Sequence, residues 1–179
     1  MKIKNILVPA IAIIVMAAVL LGADMATSQL RADNIQKEHV EMMRLLLPGS
    51  ENFVLEPYTG NDANIRSVHK AENGFVIETG VYGYAGEIIM MVGVNNDGRV
   101  TGVVVRDMEE TLGLGRNALT DHEFLYQFLN TSGEAEVGTN VDAITGATVT
   151  SRAVARSINS AVAVVTGADA ASSATTWGG

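Results

Sequence analysis

The longest apolar run in the chain is Ile6 to Ala23, which carries no charge behind Lys2 and Lys4 and ahead of Asp24. As a helix it is roughly 27 Å long, close to the ~30 Å hydrocarbon core of a bilayer. Pro9 falls in its first turns, where a missing backbone N–H costs little. From Gln29 to Leu47 the pattern changes, with Ile35, Val40, Met43 and Leu47 near helical spacing among charged residues until Pro48-Gly49. This predicts an amphipathic helix rising from the membrane. From Ile65 the texture is that of strands, with runs at Phe75 to Ile77, Ile88 to Val94 and Val100 to Arg106. The turn sequence Asn95 to Gly98 joins the last two as a hairpin. Thr120 and Glu123 have the spacing of a capping box, followed by Phe124, Leu125, Phe128 and Leu129 as the apolar face of a short helix. A second helix is predicted from Thr150 or Ser151, burying Val154, Ile158, Ala161, Val162 and Val165. Thr166 to Gly179 has little to bury except Trp177 and reads as a loose tail.

The lysines before the apolar run and the acid after it favour a cytoplasmic N-terminus, with the remaining chain outside the cytoplasm. A cleaved signal peptide is the alternative, given the small residues Gly22, Ala23 and Ala26; the length of the run and the lack of a clean Ala-x-Ala site favour a retained anchor. The domain plan that follows is an anchor at 1–26, an amphipathic helix and linker at 27–60, a folded domain at 61–167 and a tail at 168–179. The fold class is α+β: an antiparallel sheet flanked by helices. A net charge of -8 leaves no basic patch for a phosphate backbone, so nucleic acid is not an expected partner. Without cysteine there is no disulfide, no cysteine-bound iron–sulfur cluster and no thioether haem.

The segment Asp142 to Val154, DAITGATVTSRAV, concentrates hydroxyl residues just before the last helix. Helix N-termini present unpaired N–H groups that attract phosphate. Gly146 and Ala147 allow close approach, and Thr145, Thr148, Thr150 and Ser151 offer donors, acceptors or an attachment point. The simpler reading is that the same hydroxyls are ordinary N-caps after a glycine turn. Tyr82 and Tyr84 read as strand residues packed half-buried on the sheet, with stacking on an aromatic ligand as the alternative. One of Met90 and Met91 is expected in the core. His39, His69 and His122 have no metal-ligand spacing and read as surface or capping residues, and no metal site is predicted. The GLGRNA stretch lacks the third glycine and the βαβ unit of a dinucleotide fingerprint.

Asp142 to Thr148 resembles the covalent flavinylation motif D-x-x-(S/T)-G-A-T of the FMN-binding domain family. That family includes the G subunit of the Rnf complex and the C subunit of the sodium-pumping NADH:quinone reductase. A second family signature, E-T-P-G-L-G, corresponds to Glu110-Thr111-Leu112-Gly113-Leu114-Gly115, with Leu112 in place of proline. Leu45 to Phe53 and Gly83 to Ile88 extend the resemblance, and the short chain favours the Rnf G subunit.

The resemblance implies one covalent FMN per chain, joined through a phosphoester to Thr148. It implies contacts to the cofactor from Asp142, Thr145, Gly146, Ala147 and Thr150, and from Glu110, Thr111, Gly113, Leu114 and Gly115 lying against the flavin. Asp142 belongs either to the sequence read during maturation or to a turn as a local acceptor. Threonine is a weak nucleophile, and in the family an ApbE-type flavin transferase attaches the FMN. The implied role is an electron-transfer component in the cell membrane, with its C-terminal domain extracytoplasmic and with the bilayer and other Rnf subunits as partners.

Overall fold

The computed structural model describes residues 16, 19, 35–109 and 119–167. The chain divides into two compact units, Met1–Glu41 and Met42–Gly179. In the first, Met16, Val19 and residues 35–41 are helical. The apolar run from Ile6 to Ala23 otherwise lies outside the described residues, as do the start of the expected amphipathic helix and the tail. Among the described residues no helix is long and apolar enough to cross a membrane.

The second unit is built on five strands, β1 (Val54–Glu56), β2 (Ile65–Ala71), β3 (Gly74–Tyr82), β4 (Glu87–Asn95) and β5 (Val100–Met108). They form an antiparallel meander in the order β1-β2-β3-β4-β5. The β4–β5 hairpin falls where its turn sequence predicts. Asn95 closes it, its side-chain Oδ1 accepting from the N–H groups of Asp97 at 3.1 Å and Arg99 at 2.8 Å. The short β1 occurs in the stretch expected as linker; its Val54 and Leu55 are exposed, so no apolar alternation marks it.

Two helices follow the sheet, α1 (His122–Tyr126) and α2 (Thr148–Thr166). The cap of α1 is Asp121 rather than Thr120, its carboxylate accepting from the N–H groups of Glu123 and Phe124. The helix stops at Tyr126, and Phe128 enters the core from the following turn, edge-on to Phe124 with ring centroids 5.2 Å apart. The long helix α2 packs on β3 and β4 and buries Val154, Ile158, Ala161 and Val162 as its periodicity predicts. It begins at Thr148, earlier than the Thr150 or Ser151 expected.

Met90 and Met91 are both fully buried, not one alone. Adjacent strand residues point to opposite faces, so both faces of the sheet must be covered. Met90 joins the core beneath α2. On the other face Met43, Leu46 and Leu47 are buried, and the Leu46 carbonyl accepts from Thr101 Oγ1 at 2.6 Å. The paired glycines Gly93 and Gly102 permit this, because a Cβ on Gly93 would collide with the Leu46 carbonyl.

Polar anchors fix the rest of α2. Ser157 Oγ hydrogen-bonds Thr79 Oγ1 inside the core, and Asn159 both donates to the Ala135 carbonyl at 2.8 Å and accepts from its N–H at 3.1 Å. In the same loop burial pushes the Glu134 carboxyl up. Hydrogen bonds from the Ser132 hydroxyl and from the backbone, with the charge of Arg99, outweigh that and hold it below its ordinary value. Its contribution is therefore present above the ordinary glutamate range and is lost as pH falls through the lowered pKa. Glu134 is exposed, so the effect is small. Glu134→Gln is expected to flatten slightly the acid limb of a stability–pH profile; an unchanged limb would remove this assignment.

Candidate functional site

The segment before α2 is a tight turn. The Ala147 N–H donates to the Ile144 carbonyl at 2.9 Å, with Gly146 at φ 80 in the third position, a conformation that favours glycine. Ala147 is the N-cap of α2 and supplies no side-chain oxygen, so no hydroxyl caps the helix. The capping reading of the threonines is thereby overturned. The first-turn N–H groups of α2 are left for solvent or a ligand.

The hydroxyls occupy three different settings. Thr145 and Thr148 are exposed. Ser151, fully buried, donates to the Ala147 carbonyl at 3.0 Å and accepts from the Ile144 N–H at 3.2 Å, tying both ends of the turn to α2. Thr150 is 1% exposed, and its Oγ1 is buried with no hydrogen-bond partner. A hydroxyl buried in this way costs roughly 1–3 kcal/mol. Thr150→Val keeps the shape and removes that cost, so the ligand-free protein is expected to melt no lower than the parent. A clear drop in melting temperature would show that the hydroxyl is bonded.

Upstream, Gln127 holds the motif from the other side. Its Oε1 accepts from the Asp142 N–H at 2.7 Å, and its Nε2 donates to the Asp142 carbonyl at 3.4 Å. The Asp142 backbone is thus fixed at the end of α1, while its exposed carboxylate takes no hydrogen bond among the described residues, so the turn-acceptor role is not formed. An open depression of about 550 Å³ lies between these elements, lined by Asp121, Glu123, Phe124, Gln127 and the segment Asp142 to Thr145.

The residues expected in the site divide accordingly. Asp142, Thr145, Gly146, Ala147, Thr148 and Thr150 come together at the start of α2. Glu110, Thr111, Gly113, Leu114 and Gly115 lie outside the described residues. The chain enters their segment at Glu109, whose N–H donates to the Glu87 carbonyl at 2.9 Å, and leaves it at the buried Leu119. Tyr82 and Tyr84 are 75% and 74% exposed, not half-buried. Both lie at the β3–β4 turn, next to the strand end from which residue 109 departs. His69 is half-buried on β2, and His122 is exposed and stacked on Tyr126. Among the described residues no group of His, Asp and Glu is placed to hold a metal ion.

A phosphate ester fits this arrangement by its chemistry. It needs an accessible hydroxyl, unpaired donors and space for close approach, and Thr148, the uncapped helix start and the exposed Gly146 provide them. Residues 83–163 match the FMN-binding domain family. The chain is 32% identical to the G subunit of an ion-translocating oxidoreductase complex of Methanosarcina acetivorans, over 90% of this chain and 93% of that one. It is 34% identical to the G subunit of a Na⁺-translocating ferredoxin:NAD⁺ oxidoreductase complex of Acetobacterium woodii, over 51% of this chain and 48% of that one. It is also 36% identical to the G subunit of a proton-translocating ferredoxin:NAD⁺ oxidoreductase complex of Clostridium ljungdahlii, over 51% and 53%.

Proposed function

Because the chain belongs to the family of G subunits of ion-translocating oxidoreductase complexes, we propose that it is a membrane-anchored electron carrier of such a complex, with one FMN covalently bound through its phosphate to Thr148. The observation that carries this reading is the exposed Thr148 hydroxyl at a helix start that no side chain caps. FMN, when attached, supplies the electron-carrying ring, and a phosphoester leaves that ring chemically unaltered.

The chain's own residues hold and orient the group. First-turn N–H groups of α2 and the exposed Thr145 hydroxyl are the donors for the phosphate oxygens. Gly146 admits the group against the backbone, and Ser151 and Gln127 hold the turn. Thr148 is activated by a separate transferase of the ApbE type. There FAD would be the FMN donor and AMP the leaving group, and the Thr148 hydroxyl would give up its proton as its oxygen takes the phosphorus. Glu110, Thr111, Gly113, Leu114 and Gly115 are further proposed contacts to the flavin, on the resemblance of their motif alone.

In this reading Ile6 to Ala23 anchors the chain in the bilayer, and 61–167, together with β1 and the residues at 43–47 that pack on the sheet, is extracytoplasmic. Relatives named for sodium and for protons match it to similar degrees. Affinity purification of the tagged full chain from its native membranes tests the complex. Copurification of further redox subunits with a flavin-fluorescent band for this chain is expected. A flavinylated chain recovered alone would instead favour a free-standing extracytoplasmic electron carrier.

A further inference from the structure

Thr148, Arg152 and Arg156 are spaced four apart on α2 and are all exposed. Such positions stack on one helix face, and long side chains lean toward the helix N-terminus. Arg152 therefore covers the turn that starts at Thr148, and Arg156 covers the turn of Arg152.

Neither arginine has an ion-pair partner among the described residues, whereas Arg66 pairs with Glu87 and Arg106 with Glu78. The helix itself, TVTSRAVARSINSAVAVVT, contains no acidic residue that could pair with them. Two guanidinium groups one turn apart repel each other, and the start of a helix disfavours cations. In a chain with 20 acidic and 12 basic residues, this is an unfavourable place to leave two cations unpaired. A bound anion at Thr148 offsets both penalties, because it places an opposite charge on the same helix face.

We propose that Arg152, with Arg156 behind it, is the counter-ion of the phosphodiester on Thr148, so that attachment point and charge partner share one helical stripe. This rests on the reading of Thr148 as the flavin-bearing residue. A phosphodiester keeps one negative charge on two non-bridging oxygens, and the planar guanidinium can meet both with parallel N–H donors. Arg152 is thus a positioning residue that holds the phosphate, and through it the ribityl chain, against α2.

Phosphorus NMR of the flavinylated full chain tests this directly, comparing wild type with Arg152→Gln, Arg152→Lys and, as a distant control, Lys70→Gln. Both positions are exposed, so the fold is preserved. The phosphodiester resonance is expected to move by several linewidths in Arg152→Gln, to return part of the way in Arg152→Lys and to stay in place in Lys70→Gln. Superimposable resonances in wild type and Arg152→Gln would overturn the proposal while leaving the attachment to Thr148 intact. A wild type with no phosphodiester resonance after treatment with transferase and FAD would overturn both.

Discussion

Phe128→Ala will lower the unfolding free energy by about 3–5 kcal/mol, the range for deleting a buried aromatic ring. Phe128 is 0% exposed and meets Phe124 edge-to-face beneath α2. The ring also matters to the site. Gln127, the residue before it, makes both hydrogen bonds to the Asp142 backbone, so a cavity at Phe128 loosens the clamp on the motif. Urea unfolding followed by circular dichroism measures the effect. A loss below ~1 kcal/mol, the size of an ordinary surface change, would contradict the core assignment.

Ser151→Ala will cost about 1 kcal/mol, because it removes the hydrogen bonds of a buried hydroxyl to the part-buried Ile144 N–H and to the Ala147 carbonyl. Its larger consequence is for maturation. Ser151 bonds Ile144 and Ala147 at the two ends of the turn that presents Thr148. If about 1.4 kcal/mol of that ordering is lost, flavin transfer slows on the order of tenfold. The rate of FMN incorporation by a transferase supplied with FAD should show this. Equal rates in the variant and the parent would mean that the turn needs no preorganisation by Ser151.

The parts legible in the sequence are those with a strong local signal. The β4–β5 hairpin announces itself through Asn95 to Gly98, and the buried face of α2 through the spacing of Val154, Ile158, Ala161 and Val162. The displaced helix starts share one cause, which is that hydroxyl residues have the composition of caps without the position. Asp121 caps α1, and the backbone turn at Gly146 alone launches α2. The burial of Met91 depends on residues 43–47 covering the second face of the sheet, and alternation within one strand contains no trace of that. At the site, the cluster from Asp142 to Thr150 can be read directly. Gln127 cannot, since an amide fifteen residues upstream becomes a clamp only through the path of the intervening loop. Arg152 and Arg156 carry no signal in the sequence; what marks them is that neither has an ion-pair partner among the described residues, whereas Arg66 and Arg106 do.

Whether Thr148 carries the flavin is decided by intact-mass analysis with peptide mapping, on full-length protein coproduced with an ApbE-type transferase, with wild type compared against Thr148→Ala. A gain of one FMN less one water is expected on the peptide containing Thr148, and no gain in the variant. A wild type without added mass, or the same added mass in Thr148→Ala, would contradict the assignment.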